Sequence, residues 1–151
     1  MRLAPRIPAC IVAGLLVVCH ASGANAQTVA NVMEKWGALG SWSTDCSRPP
    51  SQAGRLSCVP AASGRVLHER DFGSSRDAFE ILMAAATPGG RLELFADFGP
   101  DGVRRWALVK GPDDRIRTVE SARIDGTAAT IVNGRFLDGR EAQWQSRCDQ
   151  R

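Results

Sequence analysis

The stretch RLELFADF, residues 91–98, decides the fold. Leu92, Leu94, Ala96 and Phe98 alternate with Arg91, Glu93 and Asp97, so an extended chain here has one apolar and one charged face. Phe95 breaks the alternation. The period of two predicts a β-strand with one face buried. Working outward, the same grammar repeats. Clusters of Gly, Pro, Asp and Asn (RPPSQAG, ASG, GSS, TPGG, GPDG, GPDD, DG and NG) punctuate the chain about every 9 to 13 residues, supplying backbone conformations that other residues resist. Between them lie short strand-like segments: SWSTDCS, RLSCVPA, RVLHERDF, AFEILMAAA, RLELFADF, VRRWALVK, RIRTVESARI, AATIVN, RFLD and EAQWQSRC. FEILMAAA is rich in helix formers, but its brevity and the turn that follows favour strand over a two-turn helix. Asn133-Gly134 is the most specific hairpin signal, because a type I′ turn needs positive φ at both central positions.

These segments predict an all-β fold: an antiparallel meander closing as a small barrel of about eight strands, since closure removes the two exposed edges that an open meander leaves. One helix is expected. In TVANVMEKWGAL, Val29, Val32, Met33 and Trp36 recur at three- and four-residue steps, predicting a short amphipathic helix that ends at Gly37 or Gly40 and closes one end of the barrel.

Residues 1–26 read as a secretory signal peptide. MRLAPR carries two arginines, IPACIVAGLLVVC is a mostly apolar run too short to span a bilayer, and ANA ends at Ala26 as an A-x-A cleavage site. The expectation is a periplasmic or secreted protein whose residues 27–151 form one β-barrel-like domain without a membrane span. The leader holds Arg2 and Arg6 and no acid, so the +3 of the full chain falls to +1 beyond it. A nearly neutral chain without a polybasic run offers nothing for nucleic acid. Cys10 and Cys19 leave with the leader. Cys46, Cys58 and Cys148 remain, in a compartment where disulfides form, and three thiols allow three single pairings with one residue left over.

Catalytic and cofactor patterns are missing. There is no C-x-x-C, and beyond the leader His68 is the only histidine, which argues against zinc. G-x-S-x-G, P-loop, H-E-x-x-H and EF-hand patterns do not occur, and no cofactor is expected. HERD, residues 68–71, holds the residue types of a hydrolase triad with Ser74 and Ser75 nearby. Alternation on one strand sends His68 and Asp71 to opposite faces, so HERD reads as a solvent-facing polar strand end rather than a catalytic site. Arg104, Arg105, Arg115 and Arg117 flank the GPDD turn, where arginines on one face can grip an anion; Arg105 and Arg117 are the candidate ligand contacts, against a reading as ordinary surface charge. Trp36, Trp42, Trp106 and Trp144 are read first as core.

Two resemblances follow from these residues. Gly40-Ser41-Trp42, after a short helix and before a run of strands, resembles the Gly-x-Trp opening of lipocalins and related calycin barrels. That resemblance implies an eight-stranded barrel with Trp42 closing its floor beneath an arginine of the last strand, here Arg147 beside Trp144. More of the chain (KWGALGSWSTDCSRPPS, GRVLHERDFG, GPDDRIRTVES and NGRFLDGREAQWQSRC) is similar to a group of small uncharacterised secreted proteins of alphaproteobacteria. That similarity carries no activity. It implies that Cys46 and Cys148 are the paired cysteines and that Cys58 is the extra thiol. First and last strands are neighbours in a closed barrel, which suits that pairing. Together these readings predict a non-catalytic binding module for a small apolar or amphipathic ligand. The alternative is an interaction protein, a hydrolase inhibitor or envelope-assembly partner, acting through its loops. An interior cavity favours the first, a filled core with an exposed apolar patch the second.

Overall fold

The computed structural model of the chain describes residues 28–61 and 63–149, without the side chains of Gln52 and Ala53. The expected signal peptide lies outside the described residues. Helix α1 spans Val29–Trp36. The hydroxyl of Thr28 accepts the Asn31 N–H at 3.3 Å and caps its start. Gly37, at φ +86°, ends it in the left-handed conformation, with the N–H groups of Gly37 and Ala38 both donating to Met33 O at 2.9 and 2.8 Å. Two turns of helix do not hold alone. Val32, Met33 and Trp36 are buried against the sheet, and the Trp36 indole donates to Gly90 O at 2.9 Å in the turn before the fifth strand.

Ten strands follow: β1 Gly40–Ser43, β2 Arg55–Pro60, β3 Val66–Asp71, β4 Arg76–Ala86, β5 Leu92–Asp97, β6 Val103–Lys110, β7 Ile116–Arg123, β8 Ile131–Val132, β9 Arg135–Phe136 and β10 Ser146–Arg147. A four-residue helix, α2, sits at Pro50–Ala53. All ladders are antiparallel, in the order β10-β1-β2-β3-β4-β5-β6-β7-β8-β9. FEILMAAA lies within β4, and a bulge between Ile81 and Met83 shifts its register. In β5 the alternation holds: Leu92, Leu94 and Ala96 are buried, and Phe95 joins Glu93 on the other face. Asn133 and Gly134, at φ +50° and +75°, form the two-residue turn between β8 and β9.

The closed eight-stranded barrel is corrected. The sheet is a curled half-barrel of ten strands whose outermost strands, β9 and β10, do not pair. The cause lies in residues 131–141. Turns at Asn133-Gly134 and Asp138-Gly139 interrupt the chain so often that β8 and β9 have two residues each, too few to carry a ladder round to β10. The chain then returns, and a single bridge between Ile116 and Gln145 links β7 to the segment leading into β10. The seam on the other side is firm. Trp42 pairs with Arg147 and Ser43 with Ser146, the Cys148 N–H donates to Ser41 O at 2.7 Å, and a disulfide joins Cys46 to Cys148. Cys46 lies beyond the strand, because β1 stops at Ser43 and the carboxylate of Asp45 accepts the Ser47 N–H in a tight turn.

The disulfide spans 102 residues and constrains the unfolded chain by up to about 4.7 kcal/mol in the chain-entropy model. Non-reducing peptide mapping is expected to recover Cys46 linked to Cys148. Replacing both with serine should lower the unfolding free energy by roughly 3–5 kcal/mol. Cys58, free and buried, should resist iodoacetamide until denaturant is added. Recovery of a Cys46–Cys58 peptide would sink this account of the seam.

Candidate functional site

Strand parity decides what lines the inside of the half-barrel. Leu56 and Cys58 on β2, Val66, His68 and Arg70 on β3, and Phe79 and Ile81 on β4 share its concave face, with Cys58 opposite His68 and His68 opposite Phe79. On the far wall Trp106 stands opposite Ser121 and Leu108 opposite Thr118. Helix α1 fills one end of this interior, where Val32, Met33 and Trp36 meet Val66, Ile81, Leu92 and Leu94 in the core. Beyond the helix the interior is open. A cleft of about 350 Å³ runs between Leu56, Cys58, His68 and Arg70 on one side and Trp106, Leu108, Ile116, Thr118 and Ser121 on the other. Ile131, Gln145 and the half-exposed Phe72 and Phe136 complete it. Most of this lining is apolar, with a few polar groups, the usual make-up of a small-molecule site.

His68 is buried, which corrects the solvent-facing reading of HERD. Its ring lies 5.1 Å from that of Trp106 and 6.2 Å from that of Phe98. Burial holds the imidazole at about pKa 4, below its ordinary 6.5. The Arg70 charge pushes in the same direction and Asp77 opposes it. The Cys58 sulfur is 3.9 Å from His68 Nδ1, and burial pushes its thiol up to about 12. Both shifts favour the neutral thiol–imidazole pair over thiolate and imidazolium, the reverse of an activated cysteine nucleophile. At the other end Arg70 forms a fork with Asp77, Nε to Oδ1 at 2.7 Å and Nη2 to Oδ2 at 2.6 Å. That hydrogen bond holds the Asp77 carboxyl below its usual range. The guanidinium also lies 5.5, 4.9 and 5.3 Å from the ring centres of Phe72, Phe79 and Phe98.

The other sequence candidates are distributed elsewhere. Trp42 is buried beside the helix exit, its indole donating to Ala38 O at 3.0 Å. Arg147 lies over its ring at 4.8 Å and donates to Gly37 O and Leu39 O at 2.6 and 2.7 Å. Gly40, at φ +122°, leaves room for Asp149, whose Oδ2 would sit 2.5 Å from a Cβ there. Trp144 is apart from this cluster, half-buried beneath Arg117 at 4.7 Å and next to Gly111 at the β6–β7 turn. Arg105 and Arg117 do not converge. Arg117 faces Val109, four residues along β6 from Arg105, a separation of about 13 Å. Arg105 shares the Glu120 carboxylate with Arg91. Burial opposes ionisation of Glu120, but those two arginines outweigh it and hold the carboxyl below its usual range. Three other grooves, of about 470, 550 and 470 Å³, are larger than the cleft, but several charged side chains line each of them, and Arg70 and Asp77 also border the first.

No family model, curated protein or solved structure matches the chain. Function is therefore read from the cleft itself. Among the described residues no cluster of His, Cys, Asp or Glu is placed to hold a metal ion, and no helix is long and apolar enough to cross a membrane. The sequence reading missed His68 and Arg70 as cleft residues. Their signal was present: in RVLHERDF, Val66, His68, Arg70 and Phe72 share one parity, so a buried Val66 carries the other three inward.

His68 makes stability depend on pH in a defined window. The unfolded imidazole takes its proton near pH 6.5 and the folded one near 4, so between these values the unfolded chain binds more protons. The contribution is complete above pH 6.5 and is lost as the pH falls toward 4, amounting to roughly 3 kcal/mol. Urea unfolding at pH 7.5, 5.5 and 4.5 should show this decline, and His68→Leu should flatten it. An unchanged slope in His68→Leu would refute the assignment.

Proposed function

We propose that the protein is a non-catalytic binding module of the periplasm or the extracellular space, holding a small apolar or amphipathic ligand in the cleft of its half-barrel. The observation that carries this reading is the cleft itself: about 350 Å³ of interior space that the core and helix leave unfilled, with apolar walls and two half-exposed phenylalanines beside it. The neutral Cys58–His68 pair supports a binding rather than a chemical role. The Cys46–Cys148 disulfide supports an oxidising compartment.

A second reading has its own support. Ile124, Val132 and Leu137, around the short hairpins of β7 to β9, are 64, 47 and 73 % exposed, and such apolar surface suits a protein partner. This is the interaction-protein alternative, acting through loops. Native mass spectrometry of the protein purified from its host's periplasm separates the two. A one-to-one small-molecule adduct is expected, and it should disappear in Thr118→Trp, where the indole would fill the cleft. An adduct that survives Thr118→Trp, or a bound protein with no small molecule, would overturn the cleft reading.

A further inference from the structure

We infer that the ligand of the cleft is an amphipath with a carboxylate head, seated with its apolar body along Trp106, Leu108 and Ile116 and its head on Arg70. The inference rests on the cleft being the ligand site and adds the chemistry of the ligand. Its first support is the charge of the lining. Among the described residues that line the cleft, Arg70 is the only charged side chain and none is a carboxylate. An apolar slot whose one charged donor group is a guanidinium, even offset by Asp77 outside the lining, favours an anionic head over a neutral or a cationic one.

The second support is the geometry of that cation. Asp77 engages Nε and Nη2, the side-on edge of the guanidinium. A guanidinium carries five N–H donors in a planar fork, so the end-on edge, Nη1 with the second Nη2 hydrogen, remains for another carboxylate. Asp77 and the rings of Phe72, Phe79 and Phe98 fix the plane of the group before anything binds, so little ordering is left for the ligand to cause. The side chain is only 32 % exposed, which strengthens a charge-assisted hydrogen bond relative to one in open water. Asp77 weakens the site by offsetting the charge, and this makes the strength of the site adjustable by one substitution.

The test is isothermal titration of the purified protein, its seam disulfide intact, with three probes of one chain length: decanoate, decanol and decyltrimethylammonium. Decanoate should bind about tenfold or more tighter than decanol, and the cation most weakly. Arg70→Gln should bring decanoate down to the level of decanol measured in the same variant, and Asp77→Asn should tighten decanoate several-fold. The wild-type series and Asp77→Asn decide the matter even where Arg70→Gln does not fold. Decanol binding as tightly as decanoate, or a preference that Asp77→Asn does not increase, overturns the carboxylate inference and leaves the cleft reading standing. If none of the three probes binds, the cleft reading fails, and the inference with it.

Discussion

The guanidinium of Arg147 holds the two ends of the fold together. It donates to Gly37 O and Leu39 O, on the link between α1 and β1, and covers the face of Trp42. The two carbonyls belong to the stretch just after the helix, where backbone oxygens lack helical partners. A charged donor to such groups is worth more than a neutral one. Because Arg147 sits on the last strand, this one side chain ties the exit of the helix, the first strand and the last strand into a single corner. The Cys46–Cys148 bond lies beside it and fixes the same corner covalently.

Much of the interior follows from that corner. With β10 locked to β1, α1 is held where Val32, Met33 and Trp36 reach the sheet, and the helix plugs only one end. The Trp36 indole reaches Gly90 and Lys110 lies over its ring at 5.1 Å, so the helix is anchored to both the β4–β5 turn and the end of β6. The other end carries the phenylalanines around Arg70. The cleft is what remains between a filled floor and this aromatic rim.

Local pattern made the strands legible. Alternation in residues 91–98, the Asn133-Gly134 turn and the three- and four-residue steps of α1 depend on neighbours in sequence, and each is found where it was read. The pairing of Cys46 with Cys148, expected at the sequence level, is present. What failed to show depends on distant partners. Nothing near Arg105 in the chain announces that Arg91 and Glu120 will meet it across β5, β6 and β7. Trp144 is close to Arg147 in sequence, yet it stacks under Arg117, because the Gln145 bridge to Ile116 draws the segment before β10 toward β7. HERD looked polar and therefore exposed. Charge on Glu69 and Asp71 masked the inward parity of His68 and Arg70, which only the curl of the sheet turns into burial.

The departure from barrel closure bears directly on function. In a closed barrel of eight strands the interior is about wide enough for its own side chains or for one small ligand. Here the glycine turns at 134 and 139 leave β8 and β9 at two residues each, and the wall between β7 and β10 is joined at one bridge only. Ile131, paired with Ser121 on one side and Phe136 on the other, borders the cleft together with Phe136. The same interruption exposes Val132 and Leu137 on its outer side. One side of the cleft and part of the exposed apolar surface thus both lie along the broken ladder of residues 131–141. The two readings of function draw on the same structural irregularity, one on its inner side and the other on its outer side.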